Sequence, residues 1–141
     1  MTSIEIAAGG ETAVIQLFPD LSANTVAALT VGLPQDVTLT QAMWCGIAAE
    51  CRLDGTPLAD VVGIEHPVSS IYPGYVVAVP AQNLLLFGFG GSEYRTALGV
   101  SYATLLGRMV TGRDKFEKVL GKLHRDGEIR GVLTSDRAGA S

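Results

Sequence analysis

Short apolar runs rich in β-branched residues recur along this chain, each closed by glycine, proline or asparagine, and that punctuation constrains it to sheet. Residues 4–7 and 12–17 flank Gly9-Gly10, and a Gly-Gly pair accepts the positive φ angles of a tight hairpin turn, so the chain is expected to open with a β-hairpin. Residues 75–80 and 84–89 flank Ala81-Gln82-Asn83 and predict a second hairpin, with Pro80 and Gly88 marking strand ends. Residues 38–53 read as one extended stretch. Within it Cys45, Ile47, Ala49, Cys51 and Leu53 alternate with Trp44, Gly46, Ala48, Glu50 and Arg52, so one face is expected to be core and the other to carry polar chemistry. Residues 100–110 and 129–133 complete the strands.

Only two segments carry helical periodicity. Val26, Leu29 and Leu33 follow Ser22, a good N-cap residue, and Gly32 and Pro34 stop the run. Phe116, Val119, Leu120 and Leu123 repeat at helical spacing between Asp114 and Lys122, charges that suit the two ends of a helix dipole. Residues 57–70 are expected to be loop, and Gly90-Gly91-Ser92 to open a polar loop through Glu93, Tyr94 and Arg95. Many strands on short turns favour closure, which removes exposed strand edges. The expected fold is mainly β: a closed barrel of about eight strands with two short helices. One domain is expected over residues 1–133, followed by a disordered small-residue tail over 134–141.

Composition narrows the function classes. The chain has 141 residues, 48% hydrophobic and 17% charged, which excludes a disordered or coiled-coil protein. So little charge leaves apolar surface to cover and favours a homo-oligomer. The net charge is −4, and no Lys/Arg cluster precedes Arg108, so nucleic acid is not an expected partner. The mixed charges from Arg108 to Arg125 read as a solvated helix face. The first residues show no signal-peptide pattern and no apolar run suffices for a membrane span, so a cytoplasmic location is expected. Cys45 and Cys51 are six residues apart, roughly 20 Å along a continuous strand, too far for a disulfide, and are expected to be reduced and buried.

Three segments resemble the cyclophilin superfamily. Residues 15–26, Ile-Gln-Leu-Phe-Pro-Asp-Leu-Ser-Ala-Asn-Thr-Val, look like its strand-to-helix opening. Residues 72–79, Tyr-Pro-Gly-Tyr-Val-Val-Ala-Val, resemble the Pro-Gly turn and barrel strand of bacterial cyclophilin-like families of unknown function. Residues 106–116, Leu-Gly-Arg-Met-Val-Thr-Gly-Arg-Asp-Lys-Phe, are similar to the closing strand, turn and helix. Trp44 followed by Gly46 also looks like a feature of an uncharacterised bacterial family with this fold, which has no established activity to carry over. The resemblance implies a cyclophilin-like barrel, yet the groups those enzymes use are missing. Residues 38–60 hold no Phe-His-Arg-like stretch, no Trp precedes Leu98-Gly99, and Ser101-Tyr102-Ala103 stand where a pocket His is expected. Prolyl isomerisation is therefore not expected.

The remaining candidates are binding residues. Trp44, Glu50 and Arg52 combine an aromatic floor, an acid and a guanidinium able to grip a small polar ligand, against the alternative of a surface ion pair beside a packed ring. His66, beside Glu65 and before Pro67, is a candidate base or pH-sensitive contact, against an ordinary exposed loop histidine. Glu93, Tyr94 and Arg95 could supply polar contacts over a barrel opening, against a plain hairpin connection. No metal-ligand spacing, nucleotide loop or nucleophile elbow is present, so neither metal nor cofactor is expected. The expected function is binding of a small polar metabolite or an extended peptide. The alternative is an enzyme, or enzyme subunit, acting on amide or amino-acid-like small molecules, by analogy of fold.

Overall fold

The computed structural model describes residues 2–42 and 44–135. In chain order the elements are β1 (Ser3–Ala8), β2 (Glu11–Leu17), α1 (Ala23–Val31), β3 (Gln35–Gln41), β4 (Gly46–Arg52), a 3-10 turn (Pro57–Asp60), β5 (Pro67–Val68) and β6 (Ser70–Ile71). There follow β7 (Tyr75–Val79), a second 3-10 turn (Pro80–Gln82), β8 (Leu84–Glu93), β9 (Arg95–Thr96), β10 (Gly99–Val100), β11 (Ala103–Thr111), α2 (Arg113–Leu120), the short α3 (Leu123–Asp126) and β12 (Glu128–Ser135). Eight strands pair antiparallel in the order β2-β1-β12-β3-β4-β8-β7-β11, and β11 returns to β2, closing the barrel. The expected fold class is the observed one.

The β1–β2 hairpin forms as its sequence requires: Gly9 and Gly10 sit at φ 60° and 82°, and Ile4, Ile6 and Ala8 alternate inward. The barrel interior holds Ile4, Ile6, Ile15, Leu39, Leu53, Leu85, Phe87, Leu106 and Leu133. Val26 and Leu29 of α1, and Phe116 and Leu120 of α2, extend the same cluster. A second cluster lies outside the barrel wall. Val77, Val79, Leu84 and Leu86 turn outward from β7 and β8 and are covered by Ile71, Tyr94 and Ala103. That second layer explains why β7 and most of β8 read as unbroken apolar runs: both faces of these strands are buried.

Several expectations need correction. Residues 38–53 are two strands rather than one, because the chain turns before Gly46, whose φ of 93° is open to glycine. The proposed two-face alternation holds only past that turn: Ala49, Cys51 and Leu53 face the barrel interior, whereas Cys45 and Ala48 join the outer cluster and Ile47 is half exposed. The pairing of β4 with β8 slips between Gly46 and Ala48, which resets the phase. β8 does not end at Gly88 but continues to Glu93, and the β9–β10 hairpin follows. The last long strand before α2 starts at Ala103 rather than at residue 100, and the supposed loop 57–70 contains a 3-10 turn and two short strands. Of the expected tail, Thr134 and Ser135 still pair with Glu5 and Ile4, and residues 136–141 lie outside the described residues.

Ser22 occupies the N-cap position of α1, but its hydroxyl donates to the carbonyl of Leu105 at 2.7 Å instead of capping. Glu65 caps the helix from a distant loop. Its carboxylate accepts from the Thr25 N–H and the Thr25 hydroxyl, both at 2.7 Å, and from the Asn24 N–H at 3.2 Å. Both cysteines are free and buried, and burial, with Glu50 adding, pushes the Cys51 thiol up to about 12.

Candidate functional site

Outside the barrel wall, the turn before β4, the strand itself and the segment after β8 converge on one cleft. The chain places Trp44 and Cys45 in that turn, Glu50 and Arg52 on the outward face of β4, and Tyr94 and Arg95 at the crossing from β8 to β9. Together with Gln82, Leu84, Thr96 and Ala97 they line a cleft of about 320 Å³. Trp44 is 54% exposed, large for the only tryptophan of a chain otherwise so apolar, and Tyr94 is 5% exposed, anchored in the outer cluster. The sheet thus fixes the acid and the guanidinium, the outer core fixes the tyrosine, and the tryptophan forms an accessible rim.

Glu50 and Arg52 do not form an ion pair. Arg52 Nη1 donates to the Gln82 carbonyl at 3.2 Å, leaving its other nitrogens uncommitted. Burial pushes the Glu50 carboxyl above its ordinary value, and the Arg52 guanidinium opposes that shift. Burial, with Cys45 and Glu50 adding, raises the Tyr94 hydroxyl against a hydrogen bond to Gln82. Burial also raises the Cys45 thiol, opposed by its backbone contact with Arg95. At neutral pH the tyrosine and the thiol therefore stay protonated and act as hydrogen-bonding groups. Glu93 and Arg95 pair at 2.7 Å through Arg95 Nε, so the two terminal nitrogens of Arg95 remain uncommitted donors.

Of the seven residues the sequence singled out, five meet in this cleft: Trp44, Glu50, Arg52, Tyr94 and Arg95. Glu93 lines an adjoining cleft of about 420 Å³ with Trp44, Cys45, Arg95, Ser70 and Ser92. His66 does not line either cleft. It is exposed in the segment between the first 3-10 turn and β5, at φ 41°, and its carbonyl accepts from the Leu105 N–H at 3.2 Å. Sequence reasoning missed Gln82 and Cys45 as lining residues. Gln82 lies in a 3-10 turn that nothing local ties to β4, and Cys45 reads as core because it is apolar and in phase with Cys51. Among the described residues no three His, Cys, Asp or Glu side chains gather closely enough to hold a metal ion. No helix among them is long and apolar enough to cross a membrane.

No family model matches the chain, and the search of curated proteins gives no match. The fold does have solved counterparts. The structure of McbB in complex with tryptophan superposes with a TM-score of 0.72 over 93% of this chain at 16% identity. The solution structure of the hypothetical protein AF2241 from Archaeoglobus fulgidus superposes with a TM-score of 0.58 over 79% of this chain at 17% identity, covering 81% of its own length. The chain spans only 44% of McbB. At these identities the likeness is one of fold.

Proposed function

We propose that the protein is a cyclophilin-like binding barrel, without prolyl isomerase activity, that holds a small amino-acid-like molecule in the cleft of Trp44, Glu50, Arg52, Tyr94 and Arg95. The observation that carries this reading is the convergence of those side chains from two segments far apart in the chain, residues 44–52 and 94–95, on a single cleft of about 320 Å³, at the lower end of ligand-pocket sizes. The chemistry is that of a zwitterion reader. Arg52 and Arg95 offer uncommitted guanidinium donors for a carboxylate, the half-desolvated Glu50 gains by accepting an ammonium, and Trp44 and Tyr94 offer surface to a side chain. A fold neighbour holding tryptophan supports a small-molecule role for such a barrel. The closed eight-strand architecture with helices beside it supports the cyclophilin kinship suggested by residues 15–26, 72–79 and 106–116.

A second reading, an enzyme on amides or amino-acid-like molecules, draws on the same titratable groups. The upward shifts at Cys45 and Tyr94 argue against covalent catalysis by either, because they keep both groups protonated. The test is a titration of the purified protein with amino acids, carboxylic acids and amides, read by thermal shift. An amino acid should raise the melting temperature, and Trp44→Ala, Glu50→Ala and Arg52→Ala should each abolish the shift. An unchanged response in all three variants would remove the cleft from the function. A coupled peptide assay should show no proline isomerisation above background, and incubation with amides should yield no hydrolysis product.

A further inference from the structure

The cleft does not end at Glu50 and Arg52. These two residues and Leu84 also line a second lobe of about 390 Å³, completed by Gln35, Asp36, Thr38, Thr40, Cys51 and Asp54, so the two spaces adjoin across the outward side chains of β4.

The floor of the second lobe is a seam in the barrel. Thr40 pairs with Glu50 and Gln41 with Ala49, and pairing stops there although β3 runs back to Gln35 and β4 on to Arg52. The Ala42 N–H donates to Ala48, which fixes the phase: in an antiparallel ladder alternate residues point their backbone groups to the same side, so Asp36 and Thr38 present theirs to the seam. On the other strand the Leu53 N–H donates to Asn83, so odd-numbered residues serve β8 and Arg52 presents its backbone groups to the seam. Gln35 patches part of this edge by donating its side-chain amide to the Asp36 carbonyl at 3.1 Å, and it packs against Gly55 at the far end. The backbone donors and acceptors at Thr38 and Arg52 have no ladder partner, which is the condition under which a strand edge accepts an extended chain.

The side chains differ between the lobes. Both hold Glu50 and Arg52; the first adds Trp44, Tyr94 and Arg95, and the second adds Asp36 and Asp54 beside the hydroxyls of Thr38 and Thr40. A molecule reaching from one to the other meets Arg95 and the aromatic rings at one end, Glu50, Arg52 and bare peptide edges in the middle, and the carboxylates of Asp36 and Asp54 at the other. A peptide with free ends offers the matching order. An extended tripeptide spans roughly 10 Å, comparable to the roughly 13 Å that the four residue steps from Glu50 to Asp54 cover at strand spacing.

We propose that the groove takes a di- or tripeptide with free termini, its C-terminal carboxylate held by Arg52 and Arg95, its last side chain against Trp44 and Tyr94, and its N-terminal ammonium between Asp36 and Asp54. This rests on the cleft being the binding site, and it replaces a free amino acid by a short peptide as the preferred ligand.

The experiment is an NMR titration of the ¹⁵N-labelled protein with tryptophan, Lys-Gly-Trp, Glu-Gly-Trp and N-acetylated Lys-Gly-Trp. Lys-Gly-Trp should bind at least tenfold more tightly than tryptophan and shift the amide of Thr38, which tryptophan alone should leave in place. Acetylation, a leading Glu, or the pair Asp36→Asn and Asp54→Asn should each remove most of that advantage, while the variants retain tryptophan binding. Equal affinity for Lys-Gly-Trp and tryptophan would overturn the two-lobe assignment and leave the amino-acid reading standing. Absence of binding by either would overturn both.

Discussion

Glu65 does for α1 what Ser22 does not. The helix has no acidic residue in its first turn, so its N-terminal N–H groups depend on a carboxylate brought from 40 residues away. Burial works against the Glu65 charge, but hydrogen bonds from Thr25 and Asn24 outweigh it and hold the carboxyl below its ordinary value. A carboxylate with a depressed folded-state pKa stabilises the fold above its unfolded pKa, and that contribution disappears as pH falls through the folded value. Glu65→Gln should lower stability by about 1 kcal/mol at neutral pH, the usual scale for a lost cap, and thermal melts should show the wild-type advantage shrinking below about pH 4. An equal difference at pH 7 and pH 3 would mean that the charge plays no part. This residue was visible in the sequence only as a loop acid beside His66, because capping across so long a separation leaves no local pattern. Ser22, by contrast, looked like a cap for sound local reasons and lost its hydroxyl to a neighbouring strand carbonyl.

At the scale of elements, glycines decide where strands may bend and touch. Gly112, between β11 and α2, sits at φ 74°, and a Cβ there would lie 2.2 Å from the Thr12 carbonyl oxygen. Gly112→Ala therefore combines a left-handed backbone with a backbone clash, and it should cost roughly 1–3 kcal/mol. Chemical denaturation should show a lower midpoint with an unchanged slope. A near-neutral result would mean that β2 can retreat from the β11–α2 corner. Element types were largely legible, since the two hairpins at Gly9-Gly10 and Ala81-Gln82-Asn83 and both main helices stand where periodicity and turn residues put them. The split of residues 38–53 was not, because an unbroken extended pattern carries no mark of a turn when its apolar residues stay in phase. The slipped pairing beside Gly46 belongs to the partner strand β8 as much as to β4.

Across the whole molecule the notable feature is two cores on one sheet. Phe87 and Leu86 are adjacent on β8 and both fully buried, yet Phe87 fills the barrel and Leu86 packs in the outer cluster beside Tyr94. Phe87→Ala should cost about 3–5 kcal/mol and Leu86→Ala about 2–5 kcal/mol, the range for large-to-small changes in packed interiors. Urea unfolding of both variants checks this. If Leu86→Ala falls near zero, the outer layer is a loosely held cover and the cleft it supports is not preorganised. The outer core also gives the low charge and high apolar content a destination inside one chain, so apolar composition alone no longer requires a partner subunit.

The sequence by itself determined the period-two strands, the hairpin turns, the two helices and hence a closed, mainly β barrel, because each depends on residues within one or two turns of one another. It also marked Trp44, Glu50, Arg52, Tyr94 and Arg95, since polar and aromatic side chains stand out in so apolar a chain. Only the tertiary structure decided that β8 would carry Tyr94 back across the outside of β4, that Gln82 would close the cleft, that His66 would stay apart, and that β3 and β4 would part below Thr40. Those outcomes depend on strand register and layer packing between distant segments, and local sequence does not encode that information in any one place.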